Sequence, residues 1–149
     1  MKGFKGVVKH LLKHEKVDPS DNANQAIIDA AHNGDTEIVS LLLENIKVKV
    51  GPRLDSAIKL AAKNGYIDVI RLFVADKSLN FNNYLYINDA FIIAVENGHI
   101  EIVEIFLLDD RFETCINVNQ ALLKASLKGY RDIKELLENH VRKCKDNIA

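Results

Sequence analysis

The stretch AFIIAVENGHIEIVEIFL, residues 90–107, decides the fold, because it carries two short apolar runs joined by an Asn-Gly pair. Ala90 and Ala94 lie eight and four residues before Gly98, so they share one face of a helix. Asn-Gly supplies the left-handed residue that a tight turn needs. Glu101 then opens a second apolar run, where the helix dipole favours an acid. The stretch predicts a helix, a tight turn and a second helix.

The same arrangement recurs along the chain. Five glycines are spaced 31, 31, 33 and 31 residues apart, at Gly3, Gly34, Gly65, Gly98 and Gly129. Stretches that match residues 90–107 begin at Ala26, Ala57 and Ala121. A fixed period of this size indicates stacked copies of one small unit. We therefore expect an all-α solenoid of four helix pairs with a leading half repeat.

The unit resembles the ankyrin repeat, which pairs two short antiparallel helices with an extended loop. The resemblance lies in the Ala four residues before the glycine, the Asn-Gly turn, Gly98-His99 and the apolar run 100–107, and it covers residues 3 to about 140. The Thr-Pro-Leu-His element of that family is replaced here, for example by Gln-Ala-Ile-Ile at 25–28. The tetratricopeptide repeat has a similar period, but its connections are too short for a loop such as 46–53.

The periodic boundaries predict one ankyrin-like domain over residues 1–149. It divides into a half repeat at 1–17, repeats at about 22–48, 53–79, 86–112 and 117–140, and a basic tail at 141–149. The leading half repeat also allows the alternative interpretation that the chain is a fragment of a longer ankyrin-repeat protein. Four polar residues lie two positions before the first alanine of each unit, and we expect them to cap the first helices: Asn24, Asp55, Asn88 and Asn119.

Charge and composition limit the classes of partner that we expect this chain to bind. The net charge is +4 over residues 1–17, −8 over 18–123 and +3 over 124–149. An acidic middle between basic ends is not the continuous basic face that nucleic acid requires, so we expect no nucleic-acid partner. No apolar run approaches the ~20 residues of a membrane span, so we expect no membrane association. Two cysteines without a disulfide framework fit the cytoplasm, with the nucleus as the alternative.

Catalytic and metal chemistry have few candidates. His10 and His14, next to Glu15, have the i, i+4 spacing of a helical metal pair, but no third ligand follows by spacing. His140 lies four residues before Cys144, within helical reach of a thiol nucleophile. Histidine pairs of this kind are common on exposed helix faces. His140 lies in a charged tail that we expect to fray. We expect no enzyme activity, no metal and no cofactor.

The expected function is a non-catalytic protein–protein interaction module, and we expect a monomer. The alternative is a regulatory or adaptor subunit of an enzyme assembly. The longest connection, from Asp76 to Asp89, carries aromatic residues of the kind that dominate binding hot spots. The resemblance further implies a concave binding side built from loop tips and the ends of the first helices. Together these sources nominate Asn22, His32, Arg53, Lys63, Phe81, Tyr84, Tyr86, Glu96, Asn117 and Leu127.

Overall fold

The computed structural model describes residues 3–45, 48, 54–79, 84–112 and 116–146. Within these ranges the chain forms nine α-helices and one short 3-10 helix, Asp110–Phe112, and no strand. The helices are α1 Gly3–Leu11, α2 Asp21–Asn33, α3 Thr36–Leu43, α4 Leu54–Asn64, α5 Ile67–Ala75, α6 Tyr84–Glu96, α7 Ile100–Leu107, α8 Val118–Lys128 and α9 Arg131–Asp146.

The helices form two layers. The first helices of the four repeats, α2, α4, α6 and α8, pack against one another in chain order. The second helices, α3, α5, α7 and α9, do the same, and α1 extends that layer by packing on α3. Each first helix also packs on the second helix of its own repeat. The predicted all-α solenoid of four helix pairs with a leading half repeat is confirmed.

Glycine closes every first helix. Gly34, Gly65, Gly98 and Gly129 have φ between 73° and 76°, in the left-handed region. The residue after each glycine donates its backbone N–H to the carbonyl of the alanine four residues before that glycine. His99 N, for example, lies 3.0 Å from Ala94 O. This bond satisfies a carbonyl that the helix end would leave free. The turns are therefore built as the Asn-Gly pairs predicted.

Aromatic rings from one repeat lie on the turn glycine of the repeat before it. A Cβ placed on Gly34 would come within 2.8 Å of the ring of Tyr66, and one on Gly98 within 3.2 Å of the ring of Tyr130. His99 lies over Gly65 in the same way. The glycines thus serve two purposes, since they provide positive φ and leave room for a neighbouring ring.

The core is one ribbon shared between repeats. The first helices approach closely because their facing positions are alanine: Ala57, Ala90 and Ala121 are fully buried, as are Ala61, Ala94 and Ala125. Larger side chains fill the space between the layers. The Phe106 ring makes edge contacts with those of Phe91 and Phe112, at centroid distances of 6.4 and 5.7 Å. In this arrangement each repeat buries its apolar face only against its neighbours.

The predicted N-terminal caps are wrong. The helices begin earlier than expected, so Asn24 and Asn88 lie inside α2 and α6. The Asn24 amide donates to Val48 O at 3.0 Å, and Asn88 Oδ1 accepts from Asn117 N at 2.7 Å. These side chains bond the backbone of the connection to the next repeat instead of their own helix start. The cap of α8 is Asn117, whose side chain accepts from Gln120 N at 2.9 Å.

A buried carboxylate ties two connections together. Asp109 accepts hydrogen bonds from Arg111 Nε and Nη2 at 2.9 and 2.8 Å, and from Lys77 Nζ at 2.9 Å. Arg111 Nη2 also donates to Val74 O at 2.6 Å. The Arg111 guanidinium holds the pKa of Asp109 well below its usual range, with Lys77 adding to the effect against the opposing cost of burial. The same hydrogen bond raises the pKa of Arg111.

Candidate partner-binding surface

The first helices present one solvent-facing row, formed by the residues nine and five positions before each turn glycine. We call these residues the first-helix row: Gln25, Asp29, Ser56, Leu60, Asp89, Ile93, Gln120 and Lys124. All eight side chains are half-buried or exposed, whereas the alanines on the adjacent face are buried in every repeat, with the exception of Ala26 in the first. Because the four helices stack in parallel, the row forms a regular surface across the whole array.

At the position five residues before the glycine, the row is apolar in the two central repeats, which we call its apolar centre, and charged in the two outer repeats; Ser56 and the exposed Asp89 lie beside the apolar centre. Leu60 and Ile93, in the second and third repeats, are half-buried and pack partly on the core. At the same position the outer repeats carry Asp29 and Lys124. An apolar centre with a charged rim is the usual composition of a protein-binding surface. Sequence reasoning missed Leu60 and Ile93, although apolar residues flanked by Asp and Lys at one repeat position were the signal that could have found them.

Three of the nominated helix-end residues, His32, Lys63 and Glu96, are connected to the neighbouring repeat. His32 O accepts from Asn64 Nδ2 at 3.0 Å. Lys63 O lies 3.0 Å from His99 Nε2, and only the ring nitrogen can donate in this contact. The fourth helix-end residue, Leu127, is 74 % exposed. These bonds therefore fix the backbone at the ends of the first helices and leave the side chains of Lys63 and Leu127 in solvent.

Ion pairs across the first helices fix further side chains. Glu96, one of the nominated residues, is half-buried and lies 2.6 Å from Lys124 Nζ of the next repeat. Lys59 lies 3.3 Å from Asp55 in its own helix and 3.6 Å from Asp89 in the next. Pairs at this exposure contribute about 0–1 kcal/mol each, so their main effect is to hold side-chain positions.

The remaining nominated residues are scattered. Asn22 is exposed in the first turn of α2 with φ 52°, a conformation that Asn tolerates. Arg53 and Phe81 lie outside the described residues. The placement of Tyr84 and Tyr86 in a connection is wrong, because α6 already begins at Tyr84. The helix starts this early because its apolar residues continue upstream of Asn88, which bonds the next connection instead of ending the helix.

The metal candidates do not form a helical pair. α1 ends at Leu11, so His10 lies in the helix and His14 in the turn that follows it. Across the described ranges, no group of three or more His, Cys, Asp or Glu side chains could hold a metal ion. None of the helices described is long and apolar enough to cross a membrane.

The predicted thiol pair does meet. Cys144 Sγ lies 3.6 Å from His140 Nε2 on α9, which extends to Asp146. Both residues are half-buried, and they lie on a second helix, away from the first-helix row.

Two open depressions of about 370 Å³ each lie along the turns between the layers. One is lined by residues of three repeats, including Tyr66, Asp68, Arg71 and Glu101, and the other by Tyr130 and Arg131 with their neighbours. Each is also lined by two turn glycines, Gly34 and Gly65 in the first and Gly98 and Gly129 in the second. Both depressions are formed by equivalent residues of successive repeats, and they are open grooves along the turns of the array.

Comparison with known families agrees with the stacked helix pairs. A family model described as ankyrin repeats (3 copies) matches residues 1–84 and again residues 58–147. The chain belongs to the ankyrin-repeat family. A comparison with curated proteins found no match. Ankyrin repeats are in general protein–protein interaction modules and are typically non-catalytic, so the family directs attention to the exposed faces of this ankyrin array.

Proposed function

We propose that this ankyrin array is a non-catalytic, monomeric module that binds a protein partner through the first-helix row and the adjoining helix ends. The partner contacts the apolar centre at Leu60 and Ile93. The charged ends of the row, at Asp29 and Lys124, set its orientation. The observation that carries the proposal is the apolar centre, because half-buried apolar residues are arranged there in register on neighbouring helices.

The bridges between repeats support this function energetically. Three contacts hold the ends of the first helices in place before a partner binds: His32 with Asn64, Lys63 with His99, and Glu96 with Lys124. Binding to a surface already in place loses little ordering entropy, which otherwise costs about 0.5–1.5 kcal/mol per immobilised side chain. Rigid display is therefore the mechanism that we propose.

The test compares two double variants that differ only in the face that they alter. K63E/L127E changes an exposed lysine and an exposed leucine near the ends of the first helices. R71E/L108E changes the exposed Arg71 of α5 and Leu108, which directly follows α7 and is 82 % exposed. Each protein is used as bait in native-cell extract, and captured partners are quantified by mass spectrometry.

We expect K63E/L127E to lose partners that the wild type and R71E/L108E both retain. A partner set that depends on R71E/L108E and not on K63E/L127E would move the binding surface to the second helices. Thermal unfolding of both variants checks that the two substitutions leave the fold equally stable.

A further inference from the structure

The second helices use two pairs of apolar positions for two different contacts. Residues five and nine positions after the glycine face the next repeat, because they become Lys134 and Glu138 in α9, which has no helix beyond it among the described residues. Residues four and eight positions after the glycine stay buried even there, as Ile133 and Leu137. These two positions therefore face the first helix of the same repeat.

In α1 those two positions are open. Val7 and Leu11 stand four and eight residues after Gly3, and they are 55 % and 46 % exposed. The equivalent leucine or phenylalanine of every complete repeat is exposed by 2 % or less: Leu42, Phe73, Phe106 and Leu137. Val8 and Leu12, which face α3, are half-buried as the repeat requires. Among the described residues, no first helix packs against this apolar face of α1.

The first helix of the next repeat shows the same gap from the other side. Ala26 of α2 is exposed, whereas Ala57, Ala90 and Ala121 at its position are fully buried by the preceding first helix. Val7, Leu11 and Ala26 therefore border one vacant first-helix position, beside α1 and in front of α2.

We propose that an amphipathic helix of a protein partner docks in this vacant first-helix position. The position is continuous with the stacking of α2, α4, α6 and α8, so the repeat itself defines the helix that fits. That helix brings a small residue against Ala26 and larger apolar residues against Val7 and Leu11. This site shares Asp29 with the first-helix row but otherwise lies outside it, and its occupancy does not depend on the proposed function of that row.

The charge of α2 specifies the end of the partner helix. Asp29 is exposed at the position that holds Lys124 in the fourth repeat, and Lys124 pairs with Glu96, two residues before the preceding turn glycine. By the same geometry, the partner helix has a cation two residues before its end, opposite Asp29. A cation is also favoured there by the dipole of that helix. Lys5 in the first turn of α1 is already paired with Glu37 at 3.3 Å.

The chain supplies a register-matched probe for this site. A peptide with the sequence of α4, residues 54–64, carries Lys63 two residues before the turn glycine. Its packing side carries Ile58 and Ala62, and Ala62 faces the next first helix because its equivalent in the last repeat, Ser126, is exposed. An isolated helix of this length is marginal in water, so the peptide is stapled between positions 56 and 60, which face outward. Its binding to the intact protein is measured by fluorescence anisotropy.

We expect saturable binding that L11Q weakens by about tenfold, because the peptide loses its apolar contact. L123Q is the matched control, since Leu123 is a comparably exposed leucine at the other end of the array, and it leaves the Kd unchanged. The K63E peptide binds about two- to fivefold more weakly to the wild type, and D29K in the protein reverses that preference. If L11Q fails to fold, A26R blocks the position instead.

Two results would overturn the proposal. One is the absence of binding up to 1 mM peptide, or binding that neither L11Q nor A26R changes. The other is concentration-dependent self-association, in sedimentation experiments, that L11Q abolishes and that competes with the peptide. That outcome would assign the vacant first-helix position to a second copy of the chain.

Discussion

The imidazole of His99 lies on Gly65 of the preceding repeat, where a Cβ would come within 2.6 Å of ring atom Cε1. The same ring places Nε2 3.0 Å from Lys63 O. One side chain thus covers a left-handed turn and bonds the last turn of the helix before it. The contact links the turn of the second repeat to the third.

Gly65→Ala is expected to destabilise the array by about 2–4 kcal/mol, because it adds strain at φ 74° and displaces the His99 ring. Gly129→Ala is the matched control. Its φ is the same, but nothing lies within 4 Å of the added Cβ, so about 1–2 kcal/mol is expected. Urea unfolding measures both, and equal losses would show that the ring contact contributes nothing.

Asp109→Asn is expected to lower the free energy of unfolding by about 2–4 kcal/mol, since it removes the carboxylate charge with which the partly buried Arg111 forms its ion pair. Lys77→Ala is expected to cost at most about 1 kcal/mol, because the Lys77 side chain is largely exposed. Thermal and urea unfolding of both variants at neutral pH test this order. A larger loss for Lys77→Ala would contradict it.

The Asp109 cluster also predicts an acid dependence. The pKa of Asp109 is lowered in the folded protein, so the folded state binds fewer protons than the unfolded chain. Its stabilisation is complete above the usual pKa of about 4 and is lost as the pH falls from there toward the folded value. Wild-type stability should fall more steeply below about pH 4 than that of Asp109→Asn. Parallel acid limbs in the two proteins would exclude this role.

Asn88→Ala is expected to cost about 1–2 kcal/mol, because Asn117 N would lose the acceptor that it finds at 2.7 Å. Asn119 occupies the same repeat position in the last repeat but is exposed, so Asn119→Ala should change stability by less than about 0.5 kcal/mol. Were both residues caps of their own helices, the two substitutions would cost the same. Differential scanning calorimetry separates these cases.

Ile92 and Leu123 share another repeat position with opposite burial. Ile92 is buried against the next first helix, so Ile92→Lys should destabilise the protein by about 3 kcal/mol or more. Leu123→Lys changes a side chain that is already mostly in solvent, and the expected effect is within about 0.5 kcal/mol. A large loss from Leu123→Lys would mean that another surface covers this end of the array in solution.

The layered fold could be predicted from the sequence because its signals are local. The alanine positions and the glycine turns each act within a few residues, the glycine spacing repeats them along the chain, and the observed turns follow them. The caps failed for a physical reason. The amides of Asn24 and Asn88 have the chemistry of a cap, but they satisfy the backbone of the next connection, which is distant in sequence.

The candidate surface was only partly predictable for a related reason. His32, Lys63 and Leu127 are exposed as expected from their position near the ends of the first helices. His32 and Lys63 are also polar, and polar side chains are mostly exposed. Leu60 and Ile93 are apolar like the core residues, and the stacking of the helices leaves them half-buried. Single-sequence periodicity records which face a residue occupies, and it does not record how completely the neighbouring repeat covers that face.

The rings on the glycines give the array a direction. Each turn is covered by a side chain that belongs to the following repeat, and the turn at Gly129 has no such cover within the described residues. A repeat therefore secures the one before it and depends on the one after it. Opening should propagate inward from the last repeat, and amide exchange should slow stepwise from α9 toward the interior of the stack. A ligand that covered the Gly129 turn would stabilise the last repeat and, through it, each of the repeats before it.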